Sequence, residues 1–179
     1  MTGPGTLDWQ VVSASLVAGP VWDALAGWSL AADVLVAPID PALADTAAFC
    51  ERYGVRPEDS ANCVVIAGRR ADVTSYAACV VLATTRADVN GVVRRRLGAR
   101  KASFASMEDA VVLTAMEYGG ITPIGLPAPW PLLVDQAVLE RDLVVIGSGL
   151  RRSKIALPSS ALTELPSAEV IIGLASAAR

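Results

Sequence analysis

Residues 116–127, MEYGGITPIGLP, place Gly119 and Gly120 just ahead of Pro123, then set Gly125 ahead of Pro127. Proline fixes its own φ while glycine frees the backbone, so the stretch is a poor helix and a poor strand. Ile121, Ile124 and Leu126 must still be hidden from water, which makes it either a tight turn or a site. The chain contains no histidine. That removes His-based triads, HExxH zinc sites and the usual acid–base group at neutral pH. Any catalysis falls to backbone amides, hydroxyls, carboxylates, lysine, arginine or groups on the substrate. Cys50, Cys63 and Cys79 are odd in number and lack CxxC spacing, so they read as buried, reduced thiols.

The other chemical candidates are weaker alone. IGSGLRRSK (146–154) has the look of a phosphate-cradling loop at Gly147, Ser148 and Gly149, although a turn at a strand end explains it more simply. GxGxxG, P-loop and GxSxG patterns are missing. Asp135 sits in the apolar run PLLVDQAV, where an unpaired buried carboxylate would cost several kcal/mol, so it needs a partner. The net charge of −3 argues against non-specific nucleic-acid binding. Yet RRRLGARK (94–101) and RRSK (151–154) hold eight of the fifteen basic residues, and Arg69 with Arg70 makes ten. Such windows are either solvated faces or a local basic strip that meets phosphates.

These residues need a scaffold, and 179 residues suffice for one domain with a real core. At 53% hydrophobic and 18% charged residues, disorder is excluded as the dominant state. No apolar run approaches a membrane span and the first residues lack a signal-peptide pattern, so a soluble, cytoplasmic protein is expected. Asp40, Pro41 and Gly54 predict a helix start and stop. NCVVIAG (62–68) and YAACVVLATT (76–85) predict a buried hairpin. Asp88 and Gly98 bound a short helix, and Ser106 with Asp109 has capping-box spacing. Strands follow in PLLVD, DLVVIG, KIALP and AEVIIG. The expected fold class is α+β: a single domain over 1–179, with a mixed, largely antiparallel central sheet surrounded by helices. Residues 1–39 would be an N-terminal extension packed on it.

The segment RRRLGARKASFASMEDAVVLTAMEYGGITPIGLP, followed by an Asp-containing strand and a late GSG, resembles the YbaK family of aminoacyl-tRNA deacylases. That family also supplies the editing domain inserted in bacterial prolyl-tRNA synthetases. The similarity runs from about residue 40 to the C-terminus. Its most specific part is Gly119-Gly120-Ile121-Thr122-Pro123, which fits the family's GxxxP loop, continued by Ile124-Gly125-Leu126. The resemblance implies a free-standing trans-editing hydrolase that cleaves the 3′-terminal ester of mischarged aminoacyl-tRNA. Such editing is needed because a methylene gives a synthetase only about 1–3 kcal/mol of discrimination. It also implies no metal and no organic cofactor, with a ribose hydroxyl helping to position or activate water.

On that footing the 119–123 loop offers backbone N–H groups to a developing oxyanion. Ile124, Gly125 and Leu126 line the pocket, together with Asp135, Gly147, Ser148 and Gly149. The family carries a lysine in a pattern close to A-K-T-L-V, whereas this chain has Ala61-Asn62-Cys63-Val64-Val65, with Asn62 at the lysine's place. An amide can hydrogen-bond a carbonyl or ribose hydroxyl but cannot neutralise charge. Arg69, Arg70 or Arg151 would then supply the cation, while Arg94, Arg95, Arg96, Lys101 and Lys154 meet the RNA backbone. The expected partner is the tRNA 3′ end carrying an amino acid. The alternative is a non-catalytic tRNA- or nucleotide-binding module on the same fold. Gly120→Val is expected to damage function more than folding.

Overall fold

The computed structural model describes residues 3–177. The chain begins with strand β1 (Gln10–Val11), helix α1 (Gly19–Ala26) and strand β2 (Leu35–Pro38). Helix α2 (Thr46–Tyr53) leads into the hairpin of β3 (Ala61–Arg70) and β4 (Val73–Leu82), followed by β5 (Thr85–Ala87). A short helix α3 (Arg94–Arg96), strand β6 (Lys101–Phe104) and helix α4 (Met107–Thr114) precede the glycine–proline loop. Beyond the loop come β7 (Leu132–Asp135), α5 (Gln136–Leu139), β8 (Leu143–Gly147), β9 (Ser153–Pro158), β10 (Ala168–Ile171) and β11 (Ala175–Ala177).

The α+β class expected from the sequence is the one observed. The hairpin is its spine: β3 and β4 pair antiparallel from Ala61↔Leu82 to Arg70↔Val73. Among the described residues the strands form a five-stranded mixed sheet in the order β10-β7-β4-β3-β6, with β7 parallel to both β4 and β10. A second sheet, β1-β2-β9-β8, is wholly antiparallel, and β11 with β5 makes a two-stranded ribbon. The framework is thus two sheets and a ribbon rather than one central sheet. Within the expected N-terminal extension, residues 1–39, β2 is itself a strand of the second sheet, paired with β9. Val80 and Val134 of one sheet meet Ile146, Ile155 and Leu157 of the other in the main core, joined by Val21 of α1 and Ile124 of the loop.

Local signals set the helix ends. Ser106 Oγ accepts from the Asp109 N–H at the start of α4, and Asp88 accepts from Gly91 N–H and Val92 N–H. That second cap opens a wide π-type turn, Val89–Val93, which tightens into α3 and stops at Gly98 in the left-handed region, φ +60°. The helix expected from Asp40 is split. Asp40 caps only a single turn over Pro41–Leu43, Asp45 is extended, and the helix restarts at Thr46 before ending at Gly54. The break leaves the Ala44 carbonyl free of helical bonding, and it accepts instead from Lys154 Nζ at 3.0 Å.

Candidate functional site

A cavity of about 370 Å³ opens where the chain entering α2, the start of β3, the end of β6 and the glycine–proline loop meet. Asn62 lies on its β3 wall. Thr46 Oγ1, on the first residue of α2, donates to Asn62 Oδ1 at 2.7 Å. That bond occupies the acceptor end of the amide and leaves the Nδ2 hydrogens for a ligand. Cys63 also lines the cavity, but burial pushes its thiol pKa well up. It stays a thiol at neutral pH and is not a nucleophile there. Burial likewise pushes Cys79 up to about 12, in keeping with the inert thiols read from the sequence.

The glycine loop reaches the cavity through Gly119 and Ile121. Gly120 N–H donates to the Glu117 carbonyl at 2.9 Å, and the Gly120 carbonyl accepts from Gly149 N–H at 2.7 Å. Gly120 is therefore spent on the loop itself, which corrects the expectation that its amide faces an ester. Neither Gly119 nor Ile121 N–H has a backbone acceptor among the described residues. A Cβ on Gly120 would stand 2.6 Å from the Leu150 carbonyl, and one on Gly147 would stand 2.3 Å from the Gly120 oxygen. The glycines at these positions let two backbones interlock. Thr122, Pro123 and Ile124 are buried in the protein, Thr122 Oγ1 without a hydrogen-bond partner. Gly125 backs onto the Pro20 carbonyl and Leu126 packs on the main core. None of these four residues, Thr122 to Gly125, nor Leu126, lines the cavity.

Two cations do line it, Arg151 and Lys154. Arg151 reaches across the mouth, donating to the Tyr118 carbonyl at 3.2 Å and the Pro41 carbonyl at 3.1 Å, and so ties the loop to the turn before α2. Lys154, expected on an RNA-facing strip, is instead only 7% exposed. Its Nζ donates to the Ala44 carbonyl and sits 5.2 Å above the Phe49 ring. Burial, acting against the Cys50 and Asp45 charges, brings its pKa down to about 8.

The remaining candidates lie elsewhere. Arg69 and Arg70 end β3, seven or more residues past Asn62, which is roughly 23 Å of extended chain at about 3.3 Å per residue. Neither lines the cavity, whose β3 wall ends at Val65. Arg69 stands opposite Lys101 across the β3–β6 pairing, and Arg70 donates to the Gly98 carbonyl beyond α3. The fold thus joins two of the three basic stretches into one outer surface. Within it Arg94 donates to the Asn90 carbonyl, and Arg96 is paired with Glu169. Asp135 is buried at the start of α5, outside the cavity lining, and its burial raises the carboxyl pKa. Ser148 Oγ is bound up with Ser153 and the Leu150 carbonyl, and Gly149 packs on Ala18. Of the GSG residues only Gly147 touches the cavity; the rest is a strand-end turn.

Sequence reading missed Asp45, Thr46, Phe104 and Tyr118 on the cavity wall. Phe104 and Tyr118 are 62% and 52% exposed at its rim, and Tyr118 precedes Gly119, the one local signal that could have flagged it. Among the described residues, no three His, Cys, Asp or Glu side chains gather as a metal site, and no helix is long and apolar enough to cross a membrane.

The sequence matches the family model of an aminoacyl-tRNA editing domain over residues 40–165. No curated protein matches it. Among solved structures, a proposed trans-editing enzyme for prolyl tRNA synthetase is 20% identical, with a TM-score of 0.74 over 90% of this chain and 97% of that one. A scaffold protein used in computational epitope grafting gives 21% identity and a TM-score of 0.75, again over 90% and 97%. The hypothetical protein APE2540 gives 20% and 0.69, over 79% of this chain and 90% of that one. At such identities these likenesses show the fold.

Proposed function

The chain belongs to the aminoacyl-tRNA editing domain family, and we propose that it is a free-standing hydrolase that deacylates mischarged tRNA at the 3′-terminal ester. The observation that carries this reading is one cavity lined by Asn62 and by Gly119 and Ile121, whose N–H groups have no backbone acceptor among the described residues. Its volume, about 370 Å³, is at the small end of ligand pockets and suits an amino acid on a ribose. The ester carbonyl oxygen would lie against the Gly119 and Ile121 amides, whose dipoles need no reorganisation as charge builds there. Asn62 Nδ2 would hold the ribose or the carbonyl, its geometry fixed by Thr46. Water then attacks the carbonyl carbon, the bond to the ribose oxygen breaks, and that oxygen takes up a proton.

Deacylation of a panel of mischarged tRNAs tests the reading. Asn62→Ala is expected to slow turnover about 10–100-fold, the effect of losing one positioned donor worth about 1–3 kcal/mol. A parent protein with no hydrolysis above background would instead support the second reading, a non-catalytic binding module, which the amide at position 62 favours. If parent and Asn62→Ala turn over equally, Asn62 leaves the site.

The outer basic surface of Arg69, Arg70, Arg94, Arg95 and Lys101 would meet phosphates of the RNA entering the cavity, positioning it without reading bases. Neutralising Arg69, Arg95 and Lys101 together should weaken tRNA binding and reduce the slope of log K against log salt by roughly 2–3. Discrimination between amino acids should not change. Binding measured across a salt series decides this, and an unaltered slope would return the surface to ordinary solvation.

A further inference from the structure

Resting on the deacylase reading, we propose that Lys154 is the anion-holding group of the cavity: its ammonium contacts the ester carbonyl oxygen as that oxygen becomes an oxyanion. Lys154 of β9 pairs with Gly147 of β8 and with Ala37 of β2. Directly opposed residues in a sheet project to the same face. The direction a Cβ would take from Gly147 leads onto the Gly120 and Ile121 carbonyls, so Lys154 leaves the sheet on the face that carries the glycine loop. Both residues line the cavity, as do Gly119 and Ile121, whose amides have no backbone acceptor among the described residues.

The surroundings make this cation unusual. No carboxylate forms an ion pair with Lys154 among the described residues, although it is nearly fully buried. One of its three N–H donors goes to the Ala44 carbonyl, and the Phe49 ring gives it a partial counter-field. Two donors remain. The charged or titratable groups that bear on it are Cys50 of α2, Asp45 before α2 and Arg151 at the mouth. A buried, unpaired charge is costly, and its presence in a cleft marks a candidate functional group. With its pKa at about 8 it is still mostly an ammonium at neutral pH. Arg151 is the poorer candidate because the Tyr118 and Pro41 carbonyls already hold its guanidinium across the entrance.

In the reaction, water adds to the carbonyl carbon and the carbonyl π electrons move onto oxygen, where the Lys154 ammonium and the two amides face them. Collapse of that adduct expels the ribose oxygen, which receives the proton lost by the water. Lysine acts by charge and is not consumed.

The test compares the parent, Lys154→Met and Asn62→Lys/Lys154→Met, each first checked for folding by thermal denaturation at pH 7. Lys154→Met should fold at least as well as the parent while kcat falls 100-fold or more and KM changes little. Placing a cation on the β3 wall of the same cavity, in the double variant, should recover at least tenfold of that loss. Binding is measured with two probes, a tetrahedral phosphonate analogue of an aminoacyl-adenosine ester and its planar amide counterpart. The parent should prefer the phosphonate, and Lys154→Met should lose that preference. A folded Lys154→Met with parental kcat, or with the phosphonate preference intact, overturns the proposal. A parent that hydrolyses no mischarged tRNA sinks the deacylase reading, and the phosphonate comparison then still decides whether Lys154 holds an anion.

Discussion

Gly120→Ala and Gly147→Ala are each expected to lower the unfolding free energy by about 3 kcal/mol or more, an overpacking effect at the upper end of its range. A new Cβ usually finds room when its neighbour is the tip of a flexible side chain. Here the neighbours are backbone: the Leu150 carbonyl at 2.6 Å for position 120, and the Gly120 and Ile121 oxygens at 2.3 and 2.6 Å for position 147. Neither strand end nor loop can retreat, because Gly149 N–H to Gly120 O and Glu117 N–H to Gly149 O tie them together. Gly119→Ala is the control. Its Cβ would meet only the Arg151 guanidinium, and its cost of about 1–2 kcal/mol comes from a φ of +86°. Urea unfolding of the three variants separates the cases. If Gly120→Ala unfolds at the parental midpoint, the backbone interlock is not a real constraint.

That ordering reverses what the sequence suggests for Gly120, and the reversal shows what a linear reading can reach. The GGITP segment is visible as a special loop because glycine and proline carry their backbone preferences with them. Caps at Asp88 and Ser106 and the stop at Gly54 are legible for the same reason: donor, acceptor and turn lie within a few residues. Which glycine faces a cavity and which faces another backbone depends on residues about thirty positions away, at Gly147 and Leu150. Lys154 is the extreme case. In RRSK it looks like the other basic residues, yet its burial depends on β2, α2 and a carbonyl 110 residues earlier. Arg151 and Lys154 differ in fate because β9 begins at Ser153, so Arg151 stays in the turn while Lys154 enters a paired strand. The split of the helix after Asp40 was hidden too, since Asp45 gives up helix geometry at the point where the Ala44 carbonyl serves Lys154.

Lys154→Met should make the protein more stable than its parent at neutral pH by up to about 3 kcal/mol, and the difference should disappear towards pH 10.5. The lysine pKa falls from 10.5 in the unfolded chain to about 8 in the folded one, chiefly by burial, and each unit corresponds to about 1.36 kcal/mol. Between those values the unfolded state binds the proton more than the folded state does, so this group's contribution to stability rises with pH across the window. Below pH 8 both states are protonated and the full penalty is present. The cysteines act in the opposite direction, because Cys79 and Cys63 keep their protons in the fold at pH values where the unfolded thiols lose them. Parent stability alone therefore mixes two trends, and the difference between parent and Lys154→Met removes the contribution of Cys63 and Cys79, leaving the amine together with its coupling to Cys50. Urea unfolding of both at pH 7, 8, 9 and 10 supplies it. A difference that stays flat with pH would mean that Lys154 is solvated well enough to keep its ordinary pKa. A difference that closes as expected would mean that the fold carries a destabilising charge at neutral pH, in the wall of the cavity that Asn62, Gly119 and Ile121 also line.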